Sequence, residues 1–205
     1  MLIAFEGGEG TGKSTQARLL AARIGDGAIA THEPGGTAVG RAIRALLLDL
    51  DPGPAGLDPR AEALLMAADR AQHVAEVIAP ALAAGRIVVT DRYVGSSLAY
   101  QGRGRGLGMD AVAALSEFAT VGVEADLVLW LRVSAAVRDA RMAERGRAAD
   151  RLEREDTSFH DRVDAGFAAL AAADPRWVLL DGEGDEHAVA ERVWAVVAPR
   201  LPRRL

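Results

Sequence analysis

The sequence predicts an α/β fold in which a five-stranded parallel sheet is covered by helices on both faces. Three observations predict it: short apolar runs that are continuous rather than alternating, helical patterns between successive runs, and a glycine-rich turn directly after the first run. Leu2–Glu6 is the first strand, and Lys13–Gly25 the helix that follows its turn. Gly27–His32 is a weaker strand, followed by helix Ala38–Leu50. The breaker Asp51-Pro-Gly-Pro-Ala-Gly-Leu-Asp-Pro59 is a loop between helices, too short for an interdomain linker. Helix Arg60–Ala84 leads into strand Ile87–Thr90. Helix Met109–Thr120 and strand Leu127–Val133 come next, then helices Ala135–Arg145 and Asp156–Ala173. Strand Trp177–Asp181 and helix Glu186–Ala198 complete the order. Strands separated by helices imply right-handed crossovers, with ligands bound outside the carboxyl ends of the strands.

Composition narrows the class. The 205 residues are 50% hydrophobic and 26% charged, which excludes disorder, and neither a repeat nor a linker divides them, so 1–205 reads as one domain. There is no cysteine, hence no disulfide framework and no thiolate metal site. No apolar run approaches 18 residues, and no basic segment or cleavage site follows Met1, so neither a membrane span nor a secretory leader is expected. A net charge of -5 argues against broad nucleic-acid binding, and a cytoplasmic location is expected. Alanine (42 residues) and glycine (22) thin many helix faces, allowing close backbone approach. Of 24 cationic residues only Lys13 is lysine, so it marks a place where the prevailing arginine does not serve.

Lys13 closes Gly7-Gly-Glu-Gly-Thr-Gly-Lys13-Ser14-Thr15, a match to G-x-x-x-x-G-K-[ST] in the strand–loop–helix setting that a P-loop requires. Gly7, Gly8, Gly10 and Gly12, with Glu9 and Thr11 between them, let backbone N–H groups converge on phosphate oxygens, and the helix that follows points its positive end at the same place. Lys13 supplies a compact charge for the β- and γ-phosphates, and the Ser14 hydroxyl suits Mg²⁺. The second signal is Arg86-Ile-Val-Val-Thr-Asp91-Arg92-Tyr93. Here a buried strand ends in a carboxylate placed to hold the hydration shell of Mg²⁺, with Arg92 beside it to clamp a phosphate.

These residues together resemble bacterial thymidylate kinases, over essentially the whole chain. The resemblance is carried by Phe5-Glu-Gly-Gly-Glu-Gly-Thr-Gly-Lys-Ser-Thr15, Glu33-Pro-Gly-Gly-Thr37, Ala67-Ala-Asp-Arg70 and, most specifically, Asp91-Arg-Tyr-Val-Gly-Ser-Ser-Leu-Ala-Tyr-Gln-Gly102. The arginine-rich Arg138–Arg154 completes the set. The resemblance implies a P-loop NTPase fold with a short arginine-rich lid over about 138–154, and a homodimer. It implies transfer from ATP to dTMP with Mg²⁺, small molecules being the partners. It places Glu9 facing the acceptor's sugar; Arg44, Arg70 and Arg92 on the acceptor phosphate and base; and Ser96, Ser97, Tyr100 and Gln101 around thymine and deoxyribose.

Two positions depart from the family pattern. His32 stands where an arginine commonly precedes Glu33-Pro-Gly-Gly, and Met66 stands where many members place a phenylalanine against the thymine ring, a thioether that can still pack on a base. The P-loop carries no arginine, so a further cation for the transferring phosphoryl group is expected from the lid. Arg138, Arg141, Arg145, Arg147 and Arg151 make that segment look like a lid closing over ATP, and Arg141, Arg145, Arg147 and Arg151 are expected to supply the cation, with Arg141 and Arg147 the first choices. The alternatives are a kinase for another nucleotide or nucleoside, or a P-loop ATPase switch; against a switch, there is no guanine-reading Asn-Lys-x-Asp motif.

Overall fold

The structure, a computed structural model, describes residues 1–49, 56–146 and 150–202. Its sheet is all parallel, in the order β2-β3-β1-β4-β5, from β1 (Leu2–Glu6), β2 (Ala28–His32), β3 (Ile87–Asp91), β4 (Leu127–Arg132) and β5 (Trp177–Asp181). The three central strands are buried nearly throughout, and β2 and β5 at the edges are half-exposed. That explains why β1, β3 and β4 read as continuous apolar runs and β2 as a weak one. Ile3, Phe5 and Leu129 point to one face, packing on α1 (Lys13–Ile24) and α9 (Glu186–Val197) through Leu20, Val189 and Val193. Leu2, Ala4 and Val88 point to the other, against Val74 and Ile78.

β3 runs one residue beyond the predicted Thr90, so that Asp91 ends the strand between β1 and β2, in register with Phe5 and His32. Helix starts are set by side-chain caps that satisfy first-turn N–H groups: Thr37 for α2 (Ala38–Arg44), Asp58 for α3 (Pro59–His73), Ser134 for α7 (Ala135–Glu144), Asp156 for α8 (Thr157–Ala173) and Asp185 for α9. The end of the predicted loop Asp51–Pro59 is therefore the start of α3, with Asp58 as cap and Pro59 as first helical residue. The predicted helices Ala38–Leu50 and Arg60–Ala84 are interrupted: α2 continues as a π-turn over Ala45–Asp49, and α3 continues through another over Val74–Ile78 into α4 (Ala79–Ala83). Leu50 lies outside the described residues.

One pair of elements was not expected. The segment after β3 forms α5 (Val94–Ser97) and a π-helical stretch Leu98–Gly104 before α6 (Met109–Thr120). Gly95, Gly102 and Gly104 give it low helix propensity, but those residues allow close packing. A Cβ on Gly104 would lie 2.8 Å from the Phe159 ring, and one on Gly166 would lie 3.1 Å from the Ala99 Cα. This stretch and α8 thus meet almost backbone to backbone, and Tyr100 lies edge-on to Phe159 and Phe167.

Candidate active site

The P-loop leaves β1 after Glu6 and turns tightly. Gly7 has φ +131, and a Cβ there would stand 2.3 Å from the Leu131 carbonyl oxygen. Gly12, at φ +93, is the N-cap of α1 and offers no side chain, so the first N–H groups of that helix stay open to an anion. Lys13 is buried beneath the loop and donates to Gly8 O at 2.6 Å. Burial and then Arg92 lower its pKa from the ordinary value, opposed by Glu9 and Asp91. The Ser14 hydroxyl donates to Asp91 Oδ2, while Asp91 Oδ1 is buried without a hydrogen-bond partner. A hydroxyl and an unsatisfied carboxylate oxygen at the mouth of a P-loop form a donor set that fits Mg²⁺ and its water shell.

Arg92 follows directly, in the left-handed region at φ 70, a conformation non-glycine residues adopt rarely. The Thr90 hydroxyl, donating to Arg92 O at 2.8 Å, and the bond from Arg92 N to Phe5 O at 2.9 Å hold it there. Its guanidinium pairs with Glu9, donates to Gly7 O (3.1 Å) and Ser96 Oγ (2.9 Å), and stands 5.1 Å from the centre of the Tyr100 ring. Burial alone would raise the Glu9 pKa, but Arg92 and Lys13 outweigh it and hold the carboxyl at about 2. Underneath lies Glu6, fully buried, accepting from Tyr93 N and Ser96 N at 3.0 Å each and from Ser96 Oγ at 2.6 Å. Burial pushes its pKa up to about 7 despite those bonds and Arg92.

A cavity of about 610 Å³ opens from the P-loop toward α2, α3 and the Leu98–Gly104 stretch. Glu9, Lys13, Ser14, Asp91 and Arg92 line its inner end; Arg44, Met66, Arg70, Ser96, Ser97, Tyr100 and Gln101 line the rest, with His32 beside Pro34. Every residue expected to bind the acceptor therefore faces one space. Their present partners differ. Arg44 donates to Pro34 O (3.0 Å). Arg70 is buried and donates to Glu33 (2.8 Å), Tyr93 O (3.0 Å) and Ser97 Oγ (3.1 Å), while His73 joins Glu33 (2.9 Å) to Thr31 (2.6 Å). Gln101 donates to Glu62 at 2.7 Å.

The lid arginines scatter. Arg138 pairs with its neighbour Asp139, and Arg145 pairs with Glu153 while lining the cavity near Glu9. Arg141 is held by three carbonyl oxygens, Gly10 of the P-loop (3.3 Å), Gly182 (3.0 Å) and Gly184 (3.0 Å). Arg151 turns away to Glu62 and to Leu47 O. Arg147 lies outside the described residues. Sequence reasoning missed Glu6, Glu62 and His73. A carboxylate ending an otherwise apolar strand was a signal for Glu6, whereas Glu62 reads as an ordinary first-turn glutamate of α3.

The Thymidylate kinase family model matches residues 5–193. The chain is 52% identical over 205 residues to a thymidylate kinase of Synechococcus sp. (strain JA-3-3Ab), covering 98% of this chain and 97% of that one. It is 47% identical over 211 residues to one of Solidesulfovibrio magneticus, covering 98% and 100%. The crystal structure of thymidylate kinase from Ehrlichia chaffeensis superposes with a TM-score of 0.78 at 28% identity, covering 96% of this chain and 98% of that chain. A P-loop whose lysine, Asp91 and Arg92 open onto one cavity, matched over nearly the full length by these relatives, leaves one assignment: the chain belongs to the thymidylate kinase family.

Proposed function

We propose that the enzyme transfers the γ-phosphoryl group of ATP to dTMP, giving ADP and dTDP. The observation that carries this is one cavity lined both by the P-loop residues Glu9, Lys13 and Ser14 and by Met66, Ser97, Tyr100 and Gln101. In the reaction a phosphate oxygen of dTMP bonds to the γ-phosphorus as the bond to the β–γ bridging oxygen breaks. The acceptor is already a nucleophile at neutral pH, so the protein's work is positioning and charge stabilisation. Lys13 and the N–H groups of Gly8–Ser14 hold the donor phosphates. Arg92, fixed by Glu9, Ser96 and Gly7 O, holds the acceptor phosphate beside them. Tyr100, packed by Phe159 and Phe167, is rigid enough to exclude a 2′-hydroxyl. Ser14 and Asp91 would hold Mg²⁺, which when bound neutralises charge on the β- and γ-phosphate oxygens.

The protein acts as a single domain in the cytoplasm, and as a homodimer. Leu64 on α3, Phe118 on α6 and Val121 just after it are large apolar side chains left exposed on two helices that pack together, which supports a self-interface. No helix among the described residues is long and apolar enough to cross a membrane. The test is ADP release with dTMP set against dUMP, dCMP, AMP and GMP. Selective stimulation by dTMP is expected, whereas ATP hydrolysis indifferent to every monophosphate would assign a nucleotide switch instead.

A further inference from the structure

We propose that Glu62 is a positioning residue that locks the lid onto the acceptor half of the cavity, so that the lid arginine Arg151 governs dTMP binding rather than reaching the transferring phosphate. Glu62 is completely buried in the first part of α3, and its carboxylate joins three residues from two other segments. Gln101 Nε2, from the stretch that lines the cavity, donates to Oε1 at 2.7 Å. Arg151 Nη2, from the lid, donates to Oε2 at 2.7 Å, and its Nε donates to Leu47 O in the π-turn after α2 at 2.8 Å. Arg105 reaches both oxygens, with Nε at 3.2 and 3.3 Å, and pairs in turn with Glu155, just after the lid, at 2.6 Å.

The chemistry makes this hub directional. A carboxylate only accepts, so Glu62 holds Gln101 by the nitrogen of its amide and thereby fixes which end of that amide is left for other partners. Two guanidiniums on one buried carboxylate form charge-assisted bonds whose geometry is set by the arginine fork, so the lid turn around Arg151 cannot shift without disturbing Gln101. Next to the hub, Leu152 is buried against Tyr100 and Phe159 and lines the same cavity. The second half of the lid is thus built into the acceptor wall, and the first half, α7, is not.

The proposal rests on the reading of the cavity as the dTMP site. Steady-state kinetics of Arg151→Gln, Glu62→Gln, their double variant and Gln101→Ala test it. Arg151→Gln should raise the dTMP KM tenfold or more while ATP KM and kcat stay within threefold. Glu62→Gln should do the same, and the double variant should be no worse than the poorer single one, because both act through one contact. Arg151→Gln leaves Arg105 and Gln101 on Glu62, so it carries the test even where Glu62→Gln does not fold. A dTMP KM raised less than threefold in Arg151→Gln, or a fall confined to kcat, overturns the proposal. Gln101→Ala separates the two readings. An unchanged dTMP KM there removes the acceptor assignment of the cavity; a raised one beside a normal Arg151→Gln removes the coupling alone.

Discussion

The acceptor wall and the first half of the lid use the same chemistry, arginines facing carboxylates, and differ in what surrounds it. On the acceptor wall Arg70 and Glu33 are each 3% exposed at the side chain; Arg70 bonds to Glu33, Tyr93 O and Ser97, and Glu33 is held by both Arg70 and His73 of α3. Arg92 is gripped by the P-loop, by α5 and by Tyr100. In α7 no residue is buried, and Arg138 pairs with the adjacent Asp139 at 37% and 68% exposure. An exposed pair of that kind adds roughly 0–1 kcal/mol. The wall is therefore organised before substrate arrives, whereas α7, with no buried residue and tied to the P-loop through Arg141, has less to lose by moving. A kinase needs both. Cations that locate the acceptor should be fixed in advance, and those that enclose the donor must admit it first.

The largest effect that breaks or sharpens this contrast is at Lys13, at the fixed end. Lys13→Ala should lower kcat/KM at least 10³-fold, about 4 kcal/mol of transition-state stabilisation, while the melting temperature without nucleotide stays nearly unchanged. Retention of a tenth of the activity would remove Lys13 from the phosphates. Arg92→Ala comes next: roughly 10²-fold in kcat with a raised dTMP KM, since one group both binds and aligns the acceptor. It also strips Glu9 of its main counter-charge. An unchanged dTMP KM would mean that Arg92 serves only to brace the P-loop.

The fixed half was also the half legible in the sequence, and for a physical reason. The P-loop and the Asp91-Arg92 strand end are local: motif, turn glycines and helix dipole lie within one short stretch. The braces are not local. Arg70 finds Glu33 and Ser97, His73 finds Thr31, and Glu62 finds Gln101 and Arg151, pairings that depend on how separate helices pack and leave no periodic trace. The helical stretch through Gly104 was hidden because its glycines, poor helix formers, are there for close packing on α8. In the lid, spacing counted five arginines but could not say that Arg151 faces Glu62 or that Arg141 is held by carbonyl oxygens.

Those placements reorder the lid. Arg145, beside Glu9 at the cavity, should be the described lid arginine felt most in catalysis: Arg145→Ala should lower kcat tenfold or more with ATP affinity changed less than fivefold. Arg141→Ala, which loosens the contact between the P-loop and Gly182–Gly184, should raise the ATP KM more than it lowers kcat. Pre-steady-state measurement of the transfer step with each variant checks the split. Normal transfer in Arg145→Ala and in Arg147→Ala alike would leave the first half of the lid as a solvated basic helix.

The smallest effect tests the fixed half by its stability rather than its rate. Glu6 is buried beneath Arg92, and its pKa is raised from an ordinary 4.5 to about 7. A carboxyl with a raised pKa in the fold is protonated there while still ionised in the unfolded chain. Below pH 4.5 both states hold the proton and the group costs nothing. Between pH 4.5 and 7 the folded state must keep a proton that the unfolded state has released, so stability falls as pH rises, and above 7 the full penalty applies. The penalty is on the order of 3 kcal/mol. Glu6→Gln keeps an oxygen to accept from Tyr93 N and Ser96 N but cannot ionise, so it escapes the penalty. Melting curves of the two proteins should therefore diverge in the variant's favour from pH 5 to pH 8, while dTMP binding should weaken only above pH 7, where wild-type Glu6 carries the charge that the variant lacks beneath Arg92. Parallel curves across that range would mean that Glu6 stays ionised in the fold, held by Arg92 as firmly as Glu9 is. Arg92 would then rest on two carboxylates instead of one.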